Sequence, residues 1–128
     1  IKNTKFEKIE YYLFGFLNVF RKFELEKIPW NDKKYSKLWA YYLNYMDYLL
    51  QSNADFQTNI KLIHQFIDNI STNSIGLEPY PTALRCINWI KFISLNNEQI
   101  RKTGDIDKIN NVLYTQYKIL LEIWNIIY

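Results

Sequence analysis

GLEPYPTALRCINWIKF, residues 76–92, decides how the chain is read. Gly76, Pro79 and Pro81 punctuate the longest irregular stretch, and a helix is predicted after them from about Thr82 to Leu95. Pro81 sets an extended entry and Thr82 is the expected cap. Leu84, Ile87, Ile90 and Ile93 form apolar stripes, with Cys86 and Phe92 beside them. Arg85, Asn88, Trp89 and Lys91 then fall three and four apart and make one narrow polar edge. Two explanations fit such an edge. Either the helix walls a wet groove, or Arg85 is buried against a carboxylate such as Asp47 or Glu78 and holds helices in register.

The pattern on either side is helical as well. Ile9, Tyr12, Leu13, Phe16, Leu17 and Phe20 recur at three- and four-residue spacing, which predicts a first helix, with Gly15 unfavourable inside it. Pro29 with Asn31-Asp32 marks a break. A second helix is predicted from about Lys34 to Gln51, and a third from Phe56 to about Ile70 with Asp55 as its cap. "NNEQIRKTGDID" reads as a polar turn, and a last helix runs from Lys108 to about Asn125. The predicted fold class is all-α: about five main helices in antiparallel pairs, in one domain over residues 1–128.

Composition narrows the function. The chain is 48% hydrophobic and 23% charged, with a net charge of +3. That charge is too small and too scattered for a nucleic-acid surface, leaving only a mild preference for an acidic ligand. Eleven Tyr and four Trp exceed what a small core buries, so some are expected at a surface where flat apolar faces are useful. Cys86 is alone and reads as a small core residue. No apolar run is long enough to cross a bilayer, and no signal peptide is visible. The chain begins with Ile rather than Met, which reads as a fragment or a processed product.

Catalytic signatures are missing. There is no GxSxG, no phosphate-cradling glycine loop and no CxxC. The only histidine, His64, has no second ligand at metal-binding spacing, so no metal and no cofactor are expected. Glu7 and Glu10, Glu24 and Glu26, and Asp105 and Asp107 read as solvated pairs beside turns, and no catalytic residue is assigned.

The other informative stretch is "LWAYYLNYMDYLL", residues 38–50. Trp39, Tyr42 and Tyr45 follow at intervals of three, so a helix here is aromatic on several sides. Core packing accounts for Leu38, Met46 and Leu49; Asn44 and Asp47 need polar partners.

Together, "LWAYYLNYMDYL" and "GLEPYPTALRCINWIK" resemble the N-terminal α-helical domain of the heparinase II/III family of polysaccharide lyases. The pattern in that family is Leu-Trp-x-Tyr-Asn-Leu-x-Tyr-x-Asp-Tyr-Leu followed by Gly-x-Glu-Pro-Tyr-Pro-x-x-Leu-Arg-x-x-Asn-Trp-Ile-Lys. The likeness covers Ile28 to Leu121, and Tyr42 stands where the family usually has Asn. It implies an incomplete (α/α) toroid whose groove holds a uronic-acid-containing polysaccharide cleaved by β-elimination. It also implies a periplasmic or extracellular location. The Gly-Asn-His segment and the later Tyr and His residues that carry the family's chemistry are not in this sequence, so the fragment is expected to be inactive alone. The resemblance implies a groove-lining role for Trp39, Asn44, Tyr45, Tyr80, Arg85, Asn88 and Trp89, with Arg85 gripping the carboxylate through its fork. The missing C-terminal part of the same protein is an implied partner. The competing reading, from another class, is a non-catalytic helical protein-interaction module with an exposed apolar patch.

Overall fold

A computed structural model describes residues 10–127. It is mostly helical, and it opens with an element the spacing did not predict. Strands β1 (Tyr11–Phe16) and β2 (Val19–Glu24) form an antiparallel hairpin with Tyr12 opposite Phe23, Phe14 opposite Arg21 and Phe16 opposite Val19. The expected first helix is therefore corrected to a hairpin for its described residues; Ile9 lies outside them. The competing period is two. Tyr12, Phe14 and Phe16 face inward, while Tyr11, Leu13 and Gly15 face out. Leu17 and Asn18 both adopt positive φ, 54° and 62°, the backbone of a two-residue hairpin turn matched to strand twist. A side chain at Gly15 would displace the exposed Phe20 ring, which lies across it.

Five helices follow among the described residues: α1 (Lys37–Tyr45), α2 (Phe56–Asp68), α3 (Pro79–Leu95), α4 (Asn97–Thr103) and α5 (Ile106–Ile127). The predicted second helix is cut short. α1 stops at Met46, which takes left-handed φ of 56°, and one 3-10 turn (Asp47–Leu50) continues the chain. α2 matches its prediction closely, and Asp55 caps it by accepting from the Thr58 N–H at 3.0 Å. α3 starts earlier than expected. Glu78 occupies the cap position and Pro79 the first turn, where a missing N–H costs nothing. Thr82, the expected cap, is buried inside the helix and donates to the Gly76 carbonyl. α4, read in the sequence as turn, ends on Gly104 in left-handed conformation.

α3 is the central element, packed against α1 on one side and α5 on another. Phe66 of α2 joins Trp30 and Trp89 edge-to-face at 5.3 and 5.7 Å, and Phe92 stacks near Phe56. Trp39, Leu43, Met46, Ile63, Ile100 and Ile109 complete the core. The hairpin docks on it through Phe14 and Phe16, and the Trp39 indole donates to the Val19 carbonyl at 3.1 Å. No helix among the described residues is long and apolar enough to cross a membrane.

Candidate functional site

The two sequence motifs meet face to face, and their polar residues answer a specific need. A helix leaves its last carbonyls without intrahelical partners. α1 ends inside the protein, where water cannot supply them. Arg85 donates to the Asn44 carbonyl at 3.1 Å, Asn88 donates to the Tyr45 carbonyl at 2.9 Å, and the Tyr48 hydroxyl donates to the Leu43 carbonyl at 2.8 Å. The end of α1 is thus capped by side chains from α3 and from the turn behind it.

Arg85 is fully enclosed. Its Nε donates to Gln116 of α5 at 2.6 Å, and its terminal nitrogens reach the Gly76 carbonyl at 2.8 Å and the Thr82 hydroxyl at 3.3 Å. The guanidinium also lies 4.2 Å from the centre of the Phe66 ring. Neither Asp47 nor Glu78, the carboxylates suggested by the sequence, is among these partners. The cation instead faces the C-terminal end of α1, where the helix dipole is negative. Burial lowers its pKa to about 9, so it stays charged at neutral pH.

Asn44 extends the same network. Its amide donates to the Trp30 and Ala40 carbonyls and accepts from Asn73 at 2.8 Å, and Asn73 in turn accepts from the Gly76 N–H. A methyl group on Gly76 would overlap both Asn44 and Asn73, which explains the glycine that opens the motif. Trp89 is buried too, with its indole N–H on the Met46 sulfur at 3.3 Å. Trp39, Asn44, Arg85 and Trp89 were expected on a groove wall; all four are enclosed and spend their polar groups on the protein itself.

Tyr45, also expected on the wall, is buried as well; Tyr80 and Asn88 lie beside it, nearer the surface. Tyr80, the second residue of α3, is 61% exposed. Its ring meets Tyr45 at 5.7 Å, almost perpendicular, and Tyr41 at 6.5 Å. Tyr42 adds an edge-to-face contact to Tyr45 at 5.3 Å and stacks on Phe16 behind. Four tyrosines therefore form a shelf beside the N-terminus of α3. Asn88, half-buried, lies next to it through its bond to Tyr45.

The shelf carries charge. Lys37 pairs with Glu78 at 3.0 Å, and the Tyr41 hydroxyl donates to the same carboxylate at 2.7 Å. The Tyr41 hydrogen bond and then Lys37 hold Glu78 below the usual carboxylate range, with a further pull from Lys33. Two lysines thus attend one carboxylate. Burial, followed by the neighbouring tyrosines, pushes the Tyr45 hydroxyl up to about 12. Sequence reading missed Tyr41 and Lys37; the four-residue spacing of Lys37, Tyr41 and Tyr45 along one helix face was the available signal.

Away from the shelf, His64 pairs with Asp105 at 3.2 Å across α2 and the start of α5. Among the described residues, no three His, Cys, Asp or Glu side chains gather closely enough to hold a metal ion. No family model, curated protein or solved structure matches this chain.

Proposed function

We propose that the chain is the groove-forming N-terminal part of a heparinase II/III-like polysaccharide lyase, which receives an acidic polysaccharide on the tyrosine shelf. The observation that carries this reading is the Tyr41–Tyr42–Tyr45–Tyr80 cluster beside Lys37 and Lys33. Aromatic faces suit the apolar faces of sugar rings, and an excess of lysine suits uronate carboxylates. The motif resemblance supports the same reading. In it, the helices are the first part of an (α/α) toroid, and the base and acid of β-elimination belong to the rest of the lyase. The buried motif residues then serve indirectly. Arg85, Asn44, Asn88 and Gly76 fix α3 against α1, and so hold Tyr80 beside Tyr45.

The test is a calorimetric titration with a uronate-containing oligosaccharide. Binding is expected, weakened about tenfold by Tyr80→Ala and by Lys37→Ala, and weakened by added salt. Heat unchanged by both substitutions, in folded variants, would remove the shelf from the proposal.

A second reading, a helical protein-interaction module, draws on α5. Leu121, Trp124, Ile126 and Ile127 there are 43–84% exposed. An apolar end of this kind suits a protein partner. Sedimentation at rising concentration separates the two: self-association lost on Ile126→Lys favours the module, and a monomer at every concentration counts against it.

A further inference from the structure

A second groove runs along the hairpin, on the edge of β1 that β2 does not occupy. It encloses about 340 Å³. One wall is five consecutive residues of β1, Tyr12 to Phe16; the other is Gln51, Asn53, Ala54 and Asp55 with Thr58 and Asn59 of α2. Consecutive strand residues point to opposite faces, so a cleft touched by all five follows the strand edge.

The pairing shows which backbone groups meet that edge. The Leu25 N–H donates to the Glu10 carbonyl at 3.1 Å, which makes residues 10 and 25 a hydrogen-bonded pair. By alternation, Tyr12, Phe14 and Phe16 exchange bonds with β2, and Leu13 and Gly15 turn their N–H and C=O groups outward to the groove. No hydrogen bond among the described residues satisfies those outward groups. An open edge of this kind is a template for one more strand.

We propose that this groove binds an extended peptide segment of a partner protein by strand addition to β1. The outward groups of Leu13 and Gly15 repeat at about 7 Å, the two-residue period of a strand backbone. That spacing favours a peptide over a sugar. A second copy of the hairpin is disfavoured, because its own β2 would meet the wall at residues 51–55. The charges disfavour an acidic segment, because Asp55 keeps a carboxylate in the groove wall. Glu10 at the mouth is neutralised by Lys61 at 2.6 Å, and Asp55 is engaged by the Thr58 N–H and hydroxyl as the cap of α2. Gln51 and Asn53 then offer amides to small polar side chains.

The experiment is an amide NMR titration of the folded chain with acetylated Ser-Val-Thr-Val-Thr-Val-Ser amide, carried into the millimolar range. Expected are shifts confined to residues 11–15 and 51–59, with slowed hydrogen exchange at Leu13 and Gly15. Leu13→Pro deletes one edge N–H and leaves the β1–β2 ladder intact, and is expected to weaken binding about tenfold. Leu13→Ala should bind as the parent does. If Leu13→Pro fails to fold, Ala54→Trp fills the groove from the opposite wall and should weaken binding at least as much. Absence of shifts, equal binding by the blocked variants, or the same shifts elicited by a uronate oligosaccharide would each overturn the proposal.

Discussion

Replacing Arg85 by Ala should act on stability before it acts on any ligand. The side chain is fully buried and donates four hydrogen bonds. Two of its acceptors keep other roles after truncation: the Gly76 carbonyl still accepts from Thr82, and the Thr82 hydroxyl still donates. The other two, the Asn44 carbonyl and the Gln116 side-chain oxygen, lose the donor that reached them inside the core. An orphaned buried acceptor costs about 1–3 kcal/mol, so the pair costs roughly 2–6. Removing the enclosed charge returns part of its desolvation penalty, and the cavity left over Phe66 adds a loss. The net expectation is a destabilisation of about 3–4 kcal/mol, read from the urea midpoint at constant slope. Arg85→Lys keeps a cation at the end of α1 but not the planar fork, and should lose about half as much. A loss below about 1 kcal/mol for Arg85→Ala would refute the reasoning, because a surface arginine behaves that way.

Other consequences follow from single contacts. Gly76→Ala drives a methyl group into Asn44 and Asn73 and should cost about 1–3 kcal/mol by the same urea assay. Asp55→Ala removes the cap of α2 and should cost about 1 kcal/mol, with helix loss visible by circular dichroism. Raised pKa values make tyrosines a stabilising group at low pH and a liability at high pH. Tyr45, raised to about 12, and half-buried Tyr48, raised well above its ordinary value by desolvation, contribute stability that is complete below pH 10 and lost as pH rises through their folded values. Arg85 has the opposite sign, since its lowered value means that the unfolded chain holds the proton longer above about pH 9. The tyrosines act together, so unfolding monitored by circular dichroism should set in above pH 11 and coincide with tyrosinate absorbance.

Much of the helical fold was legible. The apolar spacing of "FQTNIKLIHQFID" and the Asp before it gave α2 nearly to the residue, because capping and periodicity agreed there. The hairpin was not legible from period alone. In "YYLFGFLNVF" the aromatics satisfy both a three-to-four spacing and strict alternation, and the turn uses Leu17-Asn18 rather than an Asn-Gly pair. Gly15 and the β-forming aromatics were the signals that favoured strands. The end of α1 at Met46 left little local trace, since apart from the Tyr48 hydroxyl the side chains that cap it come from α3, forty-one and forty-three positions away. That same distance explains the candidate site. The polar edge of Arg85 and Asn88 was visible, but whether it faced a groove or the end of a neighbouring helix depended on where α1 stopped. The tyrosine shelf was seen in part, through buried Tyr45 and exposed Tyr80. Spacing along α1 could have added Lys37 and Tyr41, but the contacts of Tyr80 and Glu78 with that face form only when the N-terminus of α3 is laid against α1.

The central claim divides the motif into an internal clamp and an external shelf. It is tested most directly by NMR titration of the folded chain with a uronate oligosaccharide, following the tyrosine rings and the Arg85 Nε–H in one experiment. The expected result is a shift at Tyr41, Tyr45 and Tyr80 that saturates while the Arg85 signal keeps its position and its slow exchange. A saturating shift at Arg85 with the tyrosine shelf unmoved would contradict the account.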